Sequence, residues 1–325
     1  MNWIQLSRVA CAGNGIDRGS ALAVLGSSDD ELLAVLDAAF RVRRQRFGRG
    51  VTLHVLRNAR SGACSEDCAF CSQSADSAAG IPLYPLQQTP EIVQGALAAH
   101  KLGAARYCIV TSGRSPSESD VAAIVAATRQ IKQSVDIAVC VSLGLLDQRQ
   151  AATLKQAGVD RCNHNLETSL SFFPRICSTH TYAERLATTR AAKAAGLELC
   201  SGGIIGMGES LDDRVDLALA LRDAGADSIP VNLFNPREGT ALANRPRTSP
   251  GDALRALAMF RLVNPHSEIR IAGGREAILG PMQVLALYAA DSMFTCDYLT
   301  TPGQGYQADI AMLAAAGFTV AGIIA

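Results

Sequence analysis

The chain has 325 residues, of which 48% are hydrophobic, and this is enough for one large α/β domain with a sizeable core. Its 30 basic and 30 acidic residues give a formal net charge of zero, which argues against attraction to nucleic acid or acidic membranes. Residues 1–8 lack the apolar core of a signal peptide, and no apolar run reaches the length of about 18 residues that spans a bilayer. We therefore expect a soluble, cytoplasmic protein.

The first predicted element is a helix near the N-terminus. Residues 28–31 read Ser-Asp-Asp-Glu and precede the apolar stretch 32–40, and a Ser followed three residues later by Glu is a capping box. The basic stretch 41–46 is typical of a solvated helix end. We expect residues 1–48 to form an N-terminal helical extension and residues 49–325 to form a single catalytic domain.

From residue 51 onward, short apolar runs alternate with longer amphipathic ones. This alternation predicts either a (β/α)8 barrel or a doubly wound sheet, and we favour a (β/α)8 TIM-type barrel with an N-terminal helical extension. The predicted strands are 53–56, 106–111, 136–142, 161–166, 198–202, 228–233, 268–271 and 293–298. The predicted helices are 90–102, 118–133, 148–157, 182–195, 211–224, 250–263 and 281–289.

Three cysteines follow the first predicted strand, namely Cys64, Cys68 and Cys71, in the spacing C-x3-C-x2-C. Thiolates suit zinc, copper(I) and iron–sulfur clusters. A closed zinc site needs a fourth Cys or His, and none occurs between Cys71 and His100. The pattern therefore favours a cluster with one open position over a disulfide or zinc loop.

Four consecutive predicted strands carry one cysteine each: Cys108, Cys140, Cys162 and Cys200. Inward-facing residues on neighbouring barrel strands converge on one interior space, so these thiols predict a second metal site inside the barrel. The surroundings of the other three cysteines carry no further signal, and we expect these to be small buried hydrophobes: Cys11, Cys177 and Cys296.

The C-x3-C-x2-C loop resembles that of radical S-adenosylmethionine (SAM) enzymes, and several further segments resemble the biotin synthase family. They occur in the order of that family and, with the cysteine loop, cover the chain from about residue 50 to 300. These segments are Val-Cys-Val-Ser-Leu-Gly at 139–144, Asn-His-Asn-Leu-Glu-Thr-Ser at 163–169, Cys-Ser-Gly-Gly-Ile-Ile-Gly-Met-Gly-Glu at 200–209, Ser-Ile-Pro-Val-Asn at 228–232 and Ile-Arg-Ile-Ala-Gly-Gly-Arg-Glu at 269–276.

The resemblance implies two clusters. The first is a [4Fe-4S] cluster on the C-x3-C-x2-C loop, whose open iron chelates SAM. The second is an auxiliary [2Fe-2S] cluster, with the ligands Cys108, Cys140, Cys200 and Arg270. A guanidinium normally stays protonated and has no acceptor, so the alternative for Arg270 is a charge-assisted contact to the cluster or to a carboxylate.

The resemblance also implies contacts to SAM and to the organic substrate. Arg185 matches the residue that pairs with the SAM carboxylate, and the substrate is lined by Asn163 and Asn232. The remaining SAM contacts are Asn165 and Glu167 at the ribose, and Ile204. We expect the glycine pairs 202–203 and 206/208 to let the backbone approach the adenosine closely.

One motif departs from the family pattern, since Cys-Asn-His-Asn-Leu-Glu at 162–167 replaces Tyr-Asn-His-Asn-Leu-Asp. Glu167 is one methylene longer than Asp, and Cys162 adds a fourth thiol near the three expected ligands. Four thiolates are the usual set for a four-iron cluster, so a larger auxiliary cluster that uses Cys162 is an alternative. Strand parity argues against it, because a regular strand with Asn163 facing inward points Cys162 outward.

The activity that the resemblance implies is that of a radical SAM sulfurtransferase. Flavodoxin or ferredoxin donates an electron, SAM yields a 5′-deoxyadenosyl radical, and sulfur from the auxiliary cluster enters dethiobiotin to form biotin. The cofactors carry this chemistry, so no side chain is expected to act as a catalytic acid or base. The resemblance further implies iron–sulfur assembly machinery as a partner, and a homodimer.

Two other interpretations stay open at this point. One is a related radical SAM enzyme with the same barrel, of the hydrogenase-maturation or methylornithine type, which is not expected to carry all four auxiliary-site residues. The other is an iron–sulfur carrier, which leaves the predicted SAM contacts without a role.

Overall fold

Parallel strands close into a barrel in the computed structural model of the chain, which describes residues 1–321. The strand order is β1-β2-β3-β4-β5-β7-β8-β9, and β9 pairs with β1. β6 follows β5 directly and pairs with β7, so the two share one barrel position. This arrangement confirms the predicted (β/α)8 TIM-type barrel. The strands are β1 Gly50–Arg60, β2 Arg106–Thr111, β3 Ala138–Ser142, β4 Arg161–Asn163, β5 Glu198–Cys200, β6 Gly203–Ile205, β7 Ser228–Leu233, β8 Glu268–Ile271, β9 Ser292–Phe294 and β10 Thr319–Val320.

Capping boxes begin most of the helices that cover the barrel. In α8, for example, Ser210 accepts a hydrogen bond from the backbone of Asp213, whose carboxylate accepts one from the backbone of Ser210. The helices are α1 Trp3–Val9, α2 Arg18–Leu25, α3 Leu32–Phe47, α4 Thr89–Lys101, α5 Glu118–Ser134, α6 Gln148–Gln156, α7 Tyr182–Ala194, α8 Leu211–Asp223, α9 Pro250–Val263, α10 Arg275–Leu279 and α11 Tyr306–Ala315.

The region after β8 differs most from the prediction. The predicted α-helix 281–289 is a 3-10 helix, Gly280–Tyr288, and α10 precedes it. Gly280 has a positive φ of 49° and Pro281 follows it, so the chain cannot continue α10 with regular hydrogen bonds. Neither α10, α11 nor β10 was predicted.

The N-terminal helices pack against α9 and the barrel. The capping box before α3 forms as predicted, with the backbone N–H of Ser28 donating to Glu31 at 3.1 Å. The expectation of a solvated basic end is wrong for Arg43, which is fully buried and donates to the carbonyls of Ala290 and Gly50 at 2.9 and 2.8 Å. The proposed boundary after residue 48 stays a prediction, and residues 322–325 lie outside the described part of the chain. Among the described helices, none combines the length and the apolar character needed to cross a bilayer.

Side chains alternate along each strand between the barrel interior and the layer beneath the helices. On β2 and β3, Ile109 and Val139 lie in an apolar layer with residues of α4 to α6. The side chains of Cys108 and Cys140 point to the opposite face, and the two residues are paired in register across β2 and β3. The strand pattern therefore places these two thiols side by side in the barrel interior.

Candidate active site in the barrel interior

The four residues expected at the auxiliary site come together inside the barrel. Cys108, Cys140, Cys200 and Arg270 are between 0% and 6% exposed. Cys108 and Cys140 are adjacent across β2 and β3, and Arg270 Nη1 lies 3.4 Å from Cys200 Sγ. Three thiols and one guanidinium therefore converge in one buried space, although no sequence segment contains more than one of them.

A buried carboxylate lies beside Arg270. Glu268 contacts the Nη2 of Arg270, Nε2 of His54 at 2.9 Å and Nη1 of Arg161 at 3.1 Å. The Nη2 of Arg270 also donates to Ser228 Oγ at 2.8 Å. Sequence reasoning missed this network, although charged residues at inward positions of predicted strands were an available signal.

The charges in this network are fixed by their surroundings. Burial, with the nearby cation of Arg270, lowers the pKa of His54 to about 3, so this imidazole is neutral. Burial alone would raise the pKa of Glu268, but Arg270 and His54 hold that pKa well below its usual range. Burial alone would lower the pKa of Arg270, whereas Glu268 raises it. The network is thus a carboxylate between two guanidinium cations.

The donor atoms at this site fit an iron–sulfur cluster. Arg270 Nε is buried and has no hydrogen-bond partner among the described residues, and such an orphaned donor is costly unless a ligand satisfies it. The three thiols supply the soft ligands that such clusters take. Since Arg270 is a cation here, it suits a charge-assisted contact to a cluster, and direct ligation would require the guanidinium to lose a proton.

Cys162 is not brought to this site. It is 1% exposed and lies in the apolar layer beneath the helices, with Val139, Val141 and Leu197. Burial raises the pKa of its thiol, as expected for an inert core cysteine. This location argues against the alternative in which Cys162 is an auxiliary ligand: β4 is regular, so a residue next to inward-facing Asn163 faces outward.

The cysteine loop lies at the wall of a cavity of about 430 Å³, which is also lined by Cys108. Within the loop, the backbone N–H of Cys71 donates to the carbonyl of Cys68 at 3.0 Å. The loop is tied to the barrel where Gln73 accepts a hydrogen bond from Gly62 at 3.1 Å. Cys64, Cys68 and Cys71 thus share one cavity with the interior site, at a size typical of small-molecule sites.

The residues predicted to contact SAM adjoin one another on the same cavity wall. Arg185 Nη1 donates to the carbonyl of Asn165 at 2.8 Å and lies 3.6 Å from the carboxylate of Glu167. Arg185 Nε is buried and has no partner among the described residues, which fits the carboxylate of SAM. Ile204 also lines the cavity, and its N–H donates to the carbonyl of Glu167 at 2.8 Å.

Glu167 has an unusual backbone conformation for a non-glycine residue. Its φ is 68°, and its carbonyl is so close to Gly203 that a Cβ there would lie 2.4 Å from the oxygen. Burial raises the pKa of Glu167, while Arg185 opposes this shift. Such strain is commonly stored at functional sites.

Two asparagines predicted to line the substrate have fixed amides. Asn163 Nδ2 donates to Cys200 Sγ at 3.1 Å. Asn232 donates to the carbonyl of Gly203 at 3.2 Å and accepts from the backbone of Gly273 at 3.0 Å. Both line the same cavity.

The glycines after β5 serve protein packing. A Cβ on Gly202 would lie 1.9 Å from the carbonyl oxygen of Pro230. Gly206 and Gly208 have φ of 104° and 108°, and a Cβ on either would collide with a side chain of the loop before α9. These close approaches account for glycine at the three positions, and the expected approach of the backbone to adenosine stays a prediction.

Comparisons with known proteins identify the family. The radical SAM superfamily matches residues 59–221, and the Biotin and Thiamin Synthesis associated domain matches residues 230–319. A biotin synthase of Salinibacter ruber is 54% identical, covering 97% of this chain and 88% of the relative. A biotin synthase of Geobacillus kaustophilus is 46% identical, covering 98% and 96%. The chain belongs to the biotin synthase family.

Similar solved structures agree with this fold. A methylornithine synthase has a TM-score of 0.85 at 19% identity, covering 97% of both chains. A maturase of the [FeFe]-hydrogenase has a TM-score of 0.83 at 15% identity, covering 98% of this chain and 74% of the other. At such identities the likeness concerns the barrel alone, so the biotin synthase relatives decide the family. The cofactors of that family are a [4Fe-4S] cluster, SAM and an auxiliary iron–sulfur cluster.

The three cysteines expected to be small buried hydrophobes differ in burial and contacts in this member of the biotin synthase family. Cys11 and Cys296 are only partly buried. Cys177 is buried as expected, but its Sγ lies 3.8 Å from that of Cys68. His180, three residues beyond Cys177, was the sequence signal that could have drawn attention to this contact.

Proposed function

We propose that this chain is a biotin synthase that converts dethiobiotin to biotin by radical SAM sulfur insertion, with the sulfur donated by the auxiliary cluster. The observation that carries the proposal is the single cavity lined by the cysteine loop and by Cys108. Cys140, Cys200 and Arg270 adjoin Cys108 in the interior. A substrate in this cavity would share it with thiols of both sets.

Each predicted site residue has a proposed role. Cys64, Cys68 and Cys71 would hold the [4Fe-4S] cluster, which supplies one-electron chemistry for the cleavage of SAM. Arg185 would bind the SAM carboxylate through its unpartnered Nε. The nucleoside would be held by Asn165, Glu167 and Ile204, and the organic substrate by Asn163 and Asn232.

The protein's contribution is positioning and shielding. The amides of Asn163 and Asn232 are held by hydrogen bonds before any ligand binds, so little ordering remains for the complex. In the proposed reaction, the barrel walls would limit the access of water to reactive intermediates. We include in the proposal a reductant such as flavodoxin or ferredoxin, iron–sulfur assembly machinery, a homodimer, a cytoplasmic location and a boundary between extension and barrel after residue 48.

The experiment is an anaerobic turnover assay on protein reconstituted with both clusters. The protein receives SAM, a strong reductant and dethiobiotin, and mass spectrometry follows biotin and 5′-deoxyadenosine. If the auxiliary cluster is built with heavy-isotope sulfide, the first biotin formed should carry that isotope. Biotin without the isotope would refute the sulfur source, and 5′-deoxyadenosine without biotin or a thiolated intermediate would refute dethiobiotin as the substrate.

A further inference from the structure

Beside the cysteine loop lies a second set of metal-ligating groups, formed by Cys68, Cys177 and His180. One ligand atom from each lies within 4.8 Å of the other two. All three residues are buried, with exposed fractions of 9%, 6% and 6%. Cys177 and His180 lie on the segment between β4 and α7, and neither has a role in the proposed reaction.

The distances match a tetrahedral site. With metal–sulfur bonds of about 2.3 Å and metal–nitrogen bonds of about 2.0 Å, tetrahedral geometry separates two sulfurs by about 3.8 Å and a sulfur from a nitrogen by about 3.5 Å. Cys68 Sγ and Cys177 Sγ are 3.8 Å apart. Cys177 Sγ is 3.2 Å from Nδ1 and 3.8 Å from Nε2 of His180.

A carboxylate lies beside the imidazole of His180. Glu66, also buried, lies 2.5 Å from Nδ1 of His180. Nδ1 is also the imidazole nitrogen nearer to Cys177 Sγ, so a cation bound to Nδ1 would take the place of the proton that Nδ1 shares with Glu66, and the carboxylate would lie beside the cation. Glu66 is itself held by Thr179 Oγ1 at 2.9 Å and by Arg114 Nη1 at 3.2 Å.

We propose that the cluster-free chain binds a divalent cation of the zinc class at Cys68, Cys177 and His180, with water as the fourth ligand. Both cysteines bind as thiolates and the imidazole binds in its neutral form, so the protons that these groups carry in the metal-free chain are released to solvent when the cation binds. Two thiolates and one imidazole are a donor set that zinc takes readily.

This site and the [4Fe-4S] cluster exclude each other because both need Cys68. A zinc-loaded chain therefore cannot accept the cluster until the cation leaves. The exclusion rests on the proposed cluster ligands, whereas the zinc site itself does not depend on the proposed reaction.

The test is a titration of the full chain, stripped of its cluster under anaerobic conditions, with Co²⁺ and then with competing Zn²⁺. Tetrahedral Co²⁺ with thiolate ligands gives visible absorption and charge-transfer bands. We expect one equivalent to bind, and Cys177→Ala or His180→Ala to weaken binding at least about tenfold. The matched controls are Cys64→Ala and Cys71→Ala, which change the same loop outside the triad and should shift the affinity less than about twofold.

The opposite pattern overturns the proposal. If Cys177→Ala binds as wild type does while Cys64→Ala and Cys71→Ala lose binding, the cation is held by the loop cysteines alone. X-ray absorption of zinc in the wild-type chain gives an answer without variants: two sulfur ligands support the site, and three refute it.

Competition with cluster assembly gives an independent readout. Zinc-loaded wild-type protein should reconstitute the visible absorption of the [4Fe-4S] cluster more slowly than zinc-free protein, while Cys177→Ala should show no such delay. Equal rates with and without zinc in the wild type would contradict the shared use of Cys68. No SAM or dethiobiotin is present in these assays, so their failure is distinct from a failure of the proposed reaction.

Discussion

Replacing Glu268 by Gln tests the charge network beneath the auxiliary site. Among the described residues, Glu268 is the single carboxylate in contact with Arg270, whose side chain is 3% exposed. Arg161 also contacts Glu268, but it keeps a second partner in Glu198 at 2.9 Å. The substitution therefore leaves one buried cation unpaired while keeping the size of the side chain.

The expected loss of stability follows from the number of carboxylate partners that Arg270 keeps. Removing one partner of a buried ion pair costs about 3–5 kcal/mol, and the amide oxygen of Gln can still accept one hydrogen bond. We therefore expect Glu268→Gln to lower the free energy of unfolding by about 3 kcal/mol, out of a total of about 5–15 kcal/mol for a typical protein. The measurement is urea unfolding of the cluster-free chain at neutral pH, so that cluster occupancy does not affect the result.

Glu198→Gln is the matched control because it removes a carboxylate from the same Arg161. The Glu198 side chain is 46% exposed, and it also contacts Arg106. Solvent screens such pairs, so the loss should stay within about 1 kcal/mol. Equal losses in the two variants, or a loss below about 1 kcal/mol for Glu268→Gln, would refute our account of the buried network.

Three further predictions concern the interior thiols, a glycine and a helix cap. Cys108→Ala should remove the Mössbauer signal of the auxiliary cluster, whereas Cys162→Ala, in the outer apolar layer, should leave that signal unchanged; loss in both would return Cys162 to the ligand set. Gly203→Ala should destabilise the chain by about 1–3 kcal/mol in urea unfolding because its Cβ meets a backbone oxygen, while Gly80→Ala, with open space around it, should be nearly neutral; similar losses would contradict the steric argument. Burial would raise the pKa of the Asp213 carboxyl, but hydrogen bonds from serines lower it below its usual value. The carboxylate therefore stabilises the fold above the unfolded pKa of about 3.9, and this stabilisation is lost as the pH falls through the lower folded pKa. The stability difference between wild type and Asp213→Asn, about 1 kcal/mol near neutral pH, should therefore shrink toward pH 3, and a constant difference from pH 6 to pH 3 would contradict the assignment.

Local patterns predicted most of the barrel. Apolar runs gave strands β2, β7 and β8 with the bounds that the structure has, because their ends coincide with clear changes in composition. The alternation of side chains along β4 correctly predicted that Cys162 faces outward. The 3-10 helix Gly280–Tyr288 was taken for an α-helix, since the two share a similar apolar spacing over so short a stretch.

Contacts between distant segments set the limit of the sequence-based prediction. His54 and Glu268 are 2.9 Å apart, but they meet only because β1 and β8 both pair with β9 and share its register. Cys68 and Cys177 are 109 positions apart, and nothing in either segment encodes their distance. Such encounters depend on barrel closure and on loop paths that a single sequence does not display.

The buried Arg43 has a consequence for how the protein is made. Its guanidinium bonds to Ala290, 247 positions away, and to Gly50 at the start of the first barrel strand. The ribosome must therefore synthesise the chain at least as far as Ala290 before these hydrogen bonds can form. Until then, the nascent barrel stays open along one side, with the interior cysteines of β2, β3 and β5 already synthesised. The interior cysteines lose access to solvent when the last strands close the barrel. The time needed for translation therefore sets how long these thiols are exposed to oxidants.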